Sequence, residues 1–171
     1  MISKKMEKAL NEQIKNEMYS ASLYLAMSAY CSDQNLGGFA NWFRIQAMEE
    51  MTHAMKMYDY IFEQNGCAKV PGIDEPPADF KSPEGCFAGA LEHEQKVTGW
   101  INDLVNLALE EKDHATNIFL QWFVTEQIEE EANALDNLNK VKMVGGKPHG
   151  LYMIDRELAG RVFVSPTSSA G

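Results

Sequence analysis

The chain has 171 residues, enough for one domain with a sizeable core, and its 45% hydrophobic and 23% charged residues are ordinary for a soluble globular protein. A net charge of −10 disfavours nucleic acid and anionic membrane as partners and suits metal cations. No apolar run approaches the ~18–20 residues needed to cross a bilayer, and the opening stretch MISKKMEKALNEQIKNEMYS lacks the apolar core of a secretory signal. The three cysteines, Cys31, Cys67 and Cys86, form no CxxC pair, which argues against a disulfide framework or a thiolate-bound zinc. Reduced thiols in a cytoplasmic protein are the expectation.

Four long stretches carry the helical period. The first runs from about Lys4 to Cys31 and ends at a short polar turn, Ser32 to Gly37. The second runs from about Gly38 to Asn65, where Asn65-Gly66 reads as a stop. A long connection, Gly66 to Lys81, follows; Pro71, Pro76 and Pro77 keep it from being helical. Ser82-Pro83 reads as an N-cap with proline at the first helical position, opening a third helix to about Glu111. After a turn at Lys112-Asp113, the fourth runs from His114 to Val144. Gly145-Gly146-Lys147-Pro148 breaks the chain, and Leu151, Ile154 and Leu158 suggest a short fifth helix. The expectation is one all-α domain over residues 1–164 and a disordered tail over 165–171. Two antiparallel hairpins joined by one long crossover make a four-helix bundle; a bundle with two long crossovers is excluded.

Each helix has an apolar stripe interrupted by polar groups. Glu17 falls in line with Leu10, Ile14, Ala21 and Tyr24, and Glu50 and His53 fall within Phe39, Phe43, Ala54, Met57 and Ile61. Glu94 lies within Phe87, Leu91, Val97 and Ile101, and Gln127 and Glu130 lie within Phe123, Ala134, Leu138 and Val141. Glu17 and Glu50 are 33 residues apart, centred in the first turn; Glu94 and Gln127 are also 33 apart, centred at the second turn. Residues equidistant from the turn of an antiparallel hairpin share a level, here about 25 Å from each turn at the helical rise. A constant offset of 77 relates Glu17 to Glu94, Glu49 to Glu126, Glu50 to Gln127 and His53 to Glu130. Glu111 and His114 have the same spacing as Glu50 and His53, but they lie at the second turn with no carboxylate at their level, and read as turn and cap chemistry.

Four carboxylates inside an apolar bundle repel one another, and no Lys or Arg lies in the stripes at their level. Two divalent cations would cancel Glu17, Glu50, Glu94 and Glu130 charge for charge. Side chains three apart on a helix lie about 5–6 Å from each other, so Glu50 and His53 can share an ion. Oxygen-rich ligation with one imidazole suits iron or manganese; zinc could bind but would do no redox chemistry. Because Gln127 and Glu130 stand where a second Glu-x-x-His would be symmetric, the two positions should be unequal.

At NEQIKNEMYSASLY, EEMTHA, LEHEQ and FLQWFVTEQIEEE the sequence resembles the ferritin family, at its bacterial non-haem branch, over nearly the whole chain. The resemblance implies a ferritin-like bundle in a hollow homo-oligomeric shell of about 24 subunits that oxidises Fe(II) and stores ferric mineral. By position, Glu17, Glu50 and His53 would hold one iron. Glu50 would bridge to a second held by Glu94 and Glu130, with Gln127 in or near its shell. Glu49, Glu126, Glu129 and Glu130 would form a third, weaker site. Tyr24 and Trp122 occupy positions near the iron pair in that family, as electron donors or as core packing. Animal heavy-chain ferritins lack the carboxylate at Glu130 and line an access channel with acidic residues where this chain has Asn117 and Leu120. Met51 follows Glu50 as the haem-ligating Met does in bacterioferritins, but Gln127 and Glu130 in place of a second Glu-x-x-His favour the non-haem class, so no haem is expected. The expected function is a ferroxidase using O2 or hydrogen peroxide (H2O2) on a di-iron centre. The alternatives are a haem-containing bacterioferritin, another di-iron oxidase or peroxidase, and a purely structural bundle.

Overall fold

The structure is a computed structural model describing residues 1–164; the expected tail over 165–171 lies outside the described residues. Helix α1 spans Lys4–Asp33, α2 Gly37–Glu63, α3 Pro83–Glu110, α4 His114–Val144 and α5 Pro148–Leu158, with no strand among the described residues. The chain is all-α. α1 packs along α2, α3 along α4, and α1 along α3, while α5 crosses onto α2 and α4. The connection between α2 and α3 is the single long crossover.

Local chemistry sets the helix ends. Ser3 accepts from the Met6 N–H, Ser82 from the Gly85 N–H and Asp113 from the Thr116 N–H, each relieving an orphan donor of a first turn. Pro83 and Pro148 each begin a helix, where a missing N–H costs nothing. Asn65 (φ 57°) and Gly145 (φ 57°) take the left-handed conformation that ends α2 and α4. The helices depart from the sequence expectation mainly at their ends. α1 runs two residues past Cys31, and α5 starts at Pro148, so this proline opens α5 as well as following the break. Glu111 caps the end of α3 and accepts from the Ser3 hydroxyl at 2.5 Å, while His114 is the exposed first residue of α4.

The core is in two parts. One cluster packs Leu23, Met27, Phe39, Trp42, Phe43 and Phe87 with Leu138, Ile154 and Leu158 of the last two helices. The other packs Met6, Leu10, Ile14, Met57, Ile61, Val97, Ile101, Leu120 and Phe123. The sequence positions of Glu17, Glu50, His53, Glu94, Gln127 and Glu130 fall between the two sets on every helix, so a polar layer separates two apolar halves. Leu120, which occupies a channel position in animal heavy chains by resemblance, is fully buried in the second cluster.

α2 has no cap of its own. Leu36 at its N-cap makes no side-chain bond. Asp155 of α5 supplies the acceptor instead, taking the Gly38 N–H at 2.7 Å and the Phe39 N–H at 3.1 Å. α5 comes so close that a Cβ on Gly38 would lie 1.7 Å from the Asp155 carbonyl oxygen. Asp155→Ala should therefore cost about 1–2 kcal/mol, the usual worth of an N-cap, and Gly38→Ala should cost more because α5 must undock. Thermal unfolding followed by circular dichroism checks this; an unchanged midpoint in Gly38→Ala would contradict the close docking.

Candidate metal centre

Four helices each deliver a carboxylate to the polar layer. Glu17, Glu50, Glu94 and Glu130 are all at least nine-tenths buried, as are His53 and Gln127. Each lies within an apolar stripe, so the packing that buries the stripe buries the carboxylate too.

Two groups of ligand atoms are tight enough to hold an ion. Glu17, Glu50 and His53 each offer one atom within 4.8 Å of the others, and so do His53, Glu126 and Glu130. Within the first, Glu50 Oε2 lies 3.5 Å from His53 Nδ1, one helical turn away. Glu17 Oε1 accepts from Gln13 Nε2 at 2.9 Å, while Glu17 Oε2 and His53 Nε2 are buried with no hydrogen-bond partner among the described residues. Orphaned polar atoms of this kind are costly, and a cation would satisfy them. The donor set therefore fits a hard divalent ion.

Glu94 falls outside both groups. It accepts from the Tyr24 hydroxyl and from Gln127 Nε2 at 3.1 Å, so the Glu94 and Gln127 level match is a direct contact. Glu130 accepts from Gln46 Nε2 at 2.7 Å. Glu49, Glu126 and Glu129 line a cleft of about 230 Å³ beside His53 and Glu130, with Glu129 exposed and Glu126 half-buried. Trp122 meets the His53 ring edge-on at 5.4 Å and carries Lys56 over its face at 4.5 Å; Tyr24 stacks on Phe43. Both aromatics are thus packed against the polar layer.

Burial dominates the electrostatics. It pushes Glu50 well above the usual carboxylate range, helped by the neighbouring charges of Glu94, Glu17 and Glu130. Glu94 is raised to about 7 by burial, against the opposing hydrogen bonds from Tyr24 and Gln127. Glu130 is raised to about 7 by burial and the charge of Glu94, opposed by His53 and Gln46. Burial and the charge of Glu94 hold Tyr24 well above its ordinary value, so its hydroxyl keeps its proton. Glu49 and Glu126 are also raised, chiefly by burial.

Sequence reasoning missed three partners. Gln13 and Gln46, both buried, stand one helical turn before Glu17 and Glu50, and that repeated placement was a usable signal. The third is Arg161, which the stripes do not contain and which pairs with Glu49 rather than with the four inner carboxylates. It arrives from beyond α5, outside every stripe, and its Nη2 lies 2.7 Å from Glu49 Oε2.

The chain matches the family model described as Ferritin-like domain over residues 7–144. The chain belongs to the ferritin family. A bacterial non-heme ferritin of Bacteroides fragilis is 45% identical over 94% of this chain and 100% of its own length. Another, from Staphylococcus aureus, is 39% identical over 95% of this chain and 98% of its own. Among solved structures, an engineered closed form of the Archaeoglobus fulgidus ferritin superposes with a TM-score of 0.95 at 48% identity, covering 96% of this chain and all of that one. The open-pore ferritin of the same hyperthermophilic archaeon gives 0.93 at 48% identity, over 95% of this chain and all of that one. The four long helices and the short fifth therefore form the family's fold.

The raised carboxyls predict how metal-stripped protein responds to pH. Their folded pKa values exceed the unfolded value near 4.5, so the folded state holds protons that the unfolded state has released. That contribution is complete below about 4.5 and is lost as pH rises through about 7. The thermal midpoint of metal-stripped protein should fall by about 5 °C or more between pH 5 and pH 8. Glu130→Gln should flatten the fall, and a divalent cation at pH 8 should reverse it. A midpoint that rises across this range would contradict the assignment.

Proposed function

We propose that this chain is an iron-storage subunit with ferroxidase activity, its substrate Fe(II) bound at the polar layer. One observation carries the reading. Four carboxylates and an imidazole are buried together, and the buried side chains among the described residues include no Lys or Arg. Only protons or cations can make that layer tolerable, and near neutral pH cations compete well.

Glu17, Glu50 and His53 take one Fe(II), and Glu50, Glu94 and Glu130 the other. Gln127 and Tyr24 hold the Glu94 carboxylate in place by donating to it. Each Fe(II) gives one electron to O2 or H2O2, and carboxylate ligands favour the ferric product over the ferrous substrate. The apolar halves on either side keep bulk water from the layer. Tyr24 and Trp122 are close enough to the ligands to pass an electron. Glu126 and Glu130, with His53, supply an outer position in the cleft, and Glu49 and Glu129 flank it.

Storage requires a shell, and the reading includes a homo-oligomer of about 24 copies in the cytoplasm. In support, large apolar side chains stand exposed on all five helices, among them Leu25, Phe62, Leu109, Ile118, Ile128 and Tyr152. Among the described residues no helix is long and apolar enough to cross a membrane. The relatives' designation as non-heme ferritins favours iron without haem, leaving Met51 as a half-exposed surface residue.

Aerobic addition of Fe(II) should give a rapid near-ultraviolet absorbance rise, slowed at least about tenfold in Glu50→Ala. Equal initial rates would reject the ferroxidase reading. Size-exclusion chromatography of the unmodified protein should show one very large particle; a monomer would reject the shell.

A further inference from the structure

The resemblance puts Glu49 in the outer cation position, yet its carboxylate belongs to neither group of converging ligand atoms. It is engaged elsewhere. Arg161 Nη2 donates to Glu49 Oε2 at 2.7 Å, and the two side chains are only 23% and 16% exposed. The same guanidinium lies 4.8 Å over the Trp42 ring, and its Nη1 donates to the Trp42 carbonyl at 3.3 Å. Backbone contacts fix the segment that carries it. Asn41 Nδ2 donates to the Leu158 and Arg161 carbonyls at 3.2 and 3.0 Å, and Asp155 caps α2. On the other side of the cleft, His53, Glu126 and Glu130 present their ligand atoms, and His53 Nε2 is buried with no partner. The cleft already contains one positive charge, held by the protein itself.

We propose that Arg161 is a built-in counter-ion for the outer cation position, holding Glu49 away from it and keeping a third cation weakly bound. This rests on the reading of the polar layer and cleft as cation sites. An incoming ion meets the guanidinium as a like charge in a partly desolvated cleft, where repulsion is stronger than in bulk water. Glu49 joins the ligands only when it exchanges Arg161 for the ion. The position is therefore suited to passing ions along. The two inner positions lack such a counter-ion and hold theirs more tightly.

Anaerobic calorimetric titration of the assembled, metal-stripped protein with Fe(II) alone tests this. Arg161→Gln should tighten the third equivalent at least about tenfold and leave the first two unchanged. Arg161→Lys keeps the charge and should stay near the unsubstituted protein. A purely structural anchor behaves differently, lowering the thermal midpoint without tightening the third equivalent. A third equivalent that is unchanged or weaker in Arg161→Gln overturns the proposal. Glu126→Gln alone separates the two levels of the argument. If it abolishes the third equivalent while Arg161→Gln does nothing, the outer site stands and the counter-ion role falls. If it leaves the titration unaltered, the outer site falls, and the role of Arg161 with it.

Discussion

The structure turns on the cost of placing four acidic side chains at one depth in an apolar bundle. Glu17, Glu50, Glu94 and Glu130 come from four different helices and meet in a single layer. Isolated, each would be driven to protonate. The bundle tolerates the layer because it is not the core. Helices of 27 to 31 residues are long enough to put an apolar cluster above it and another below. Each fully buried Leu, Ile or Phe in those clusters contributes about 1.5–3 kcal/mol, and together they hold the charges where water cannot solvate them.

The two hairpins contribute differently to that layer. In the α1–α2 hairpin, Glu17, Glu50 and His53 converge, with His53 Nδ1 facing Glu50 and Glu17 Oε2 left without a partner among the described residues. In the α3–α4 hairpin, Gln127 stands where the other half has Glu50, and its amide is committed to Glu94. Each hairpin thus supplies two buried carboxylates, but the second adds an amide where the first adds an imidazole, and that amide is tied to Glu94. The offset of 77 residues between halves preserves the placement of the site and changes its chemistry.

Much of this was legible in the sequence, for a stated reason. Helical period and proline placement located the five helices, and the equal 33-residue separations showed that the interruptions of the stripes share a level. Residues that act through the bundle's own periodicity are visible that way. Arg161 was not, because it lies outside any periodic stretch and reaches Glu49 only through the docking of α5. The engagement of Glu49 was hidden for the same reason: helical register places it beside Glu50, but its hydrogen-bond partner lies 112 residues away. Gln13 and Gln46 signal themselves by standing one turn before Glu17 and Glu50, but register alone does not separate their acceptors, Glu17 for one and Glu130 for the other.

The cap that Asp155 places on α2 has a consequence for the order of biosynthesis. The helix bearing Glu49, Glu50 and His53 has its first turn completed by a residue 117 positions downstream of Gly38. A nascent chain emerging from the ribosome can pair α1 with α2 early, but the amino end of α2 stays unfinished until α5 has been made. Completion of the helix that carries Glu50 and His53 is thereby tied to synthesis of α5, and products truncated before Asp155 are left with a frayed first turn on it.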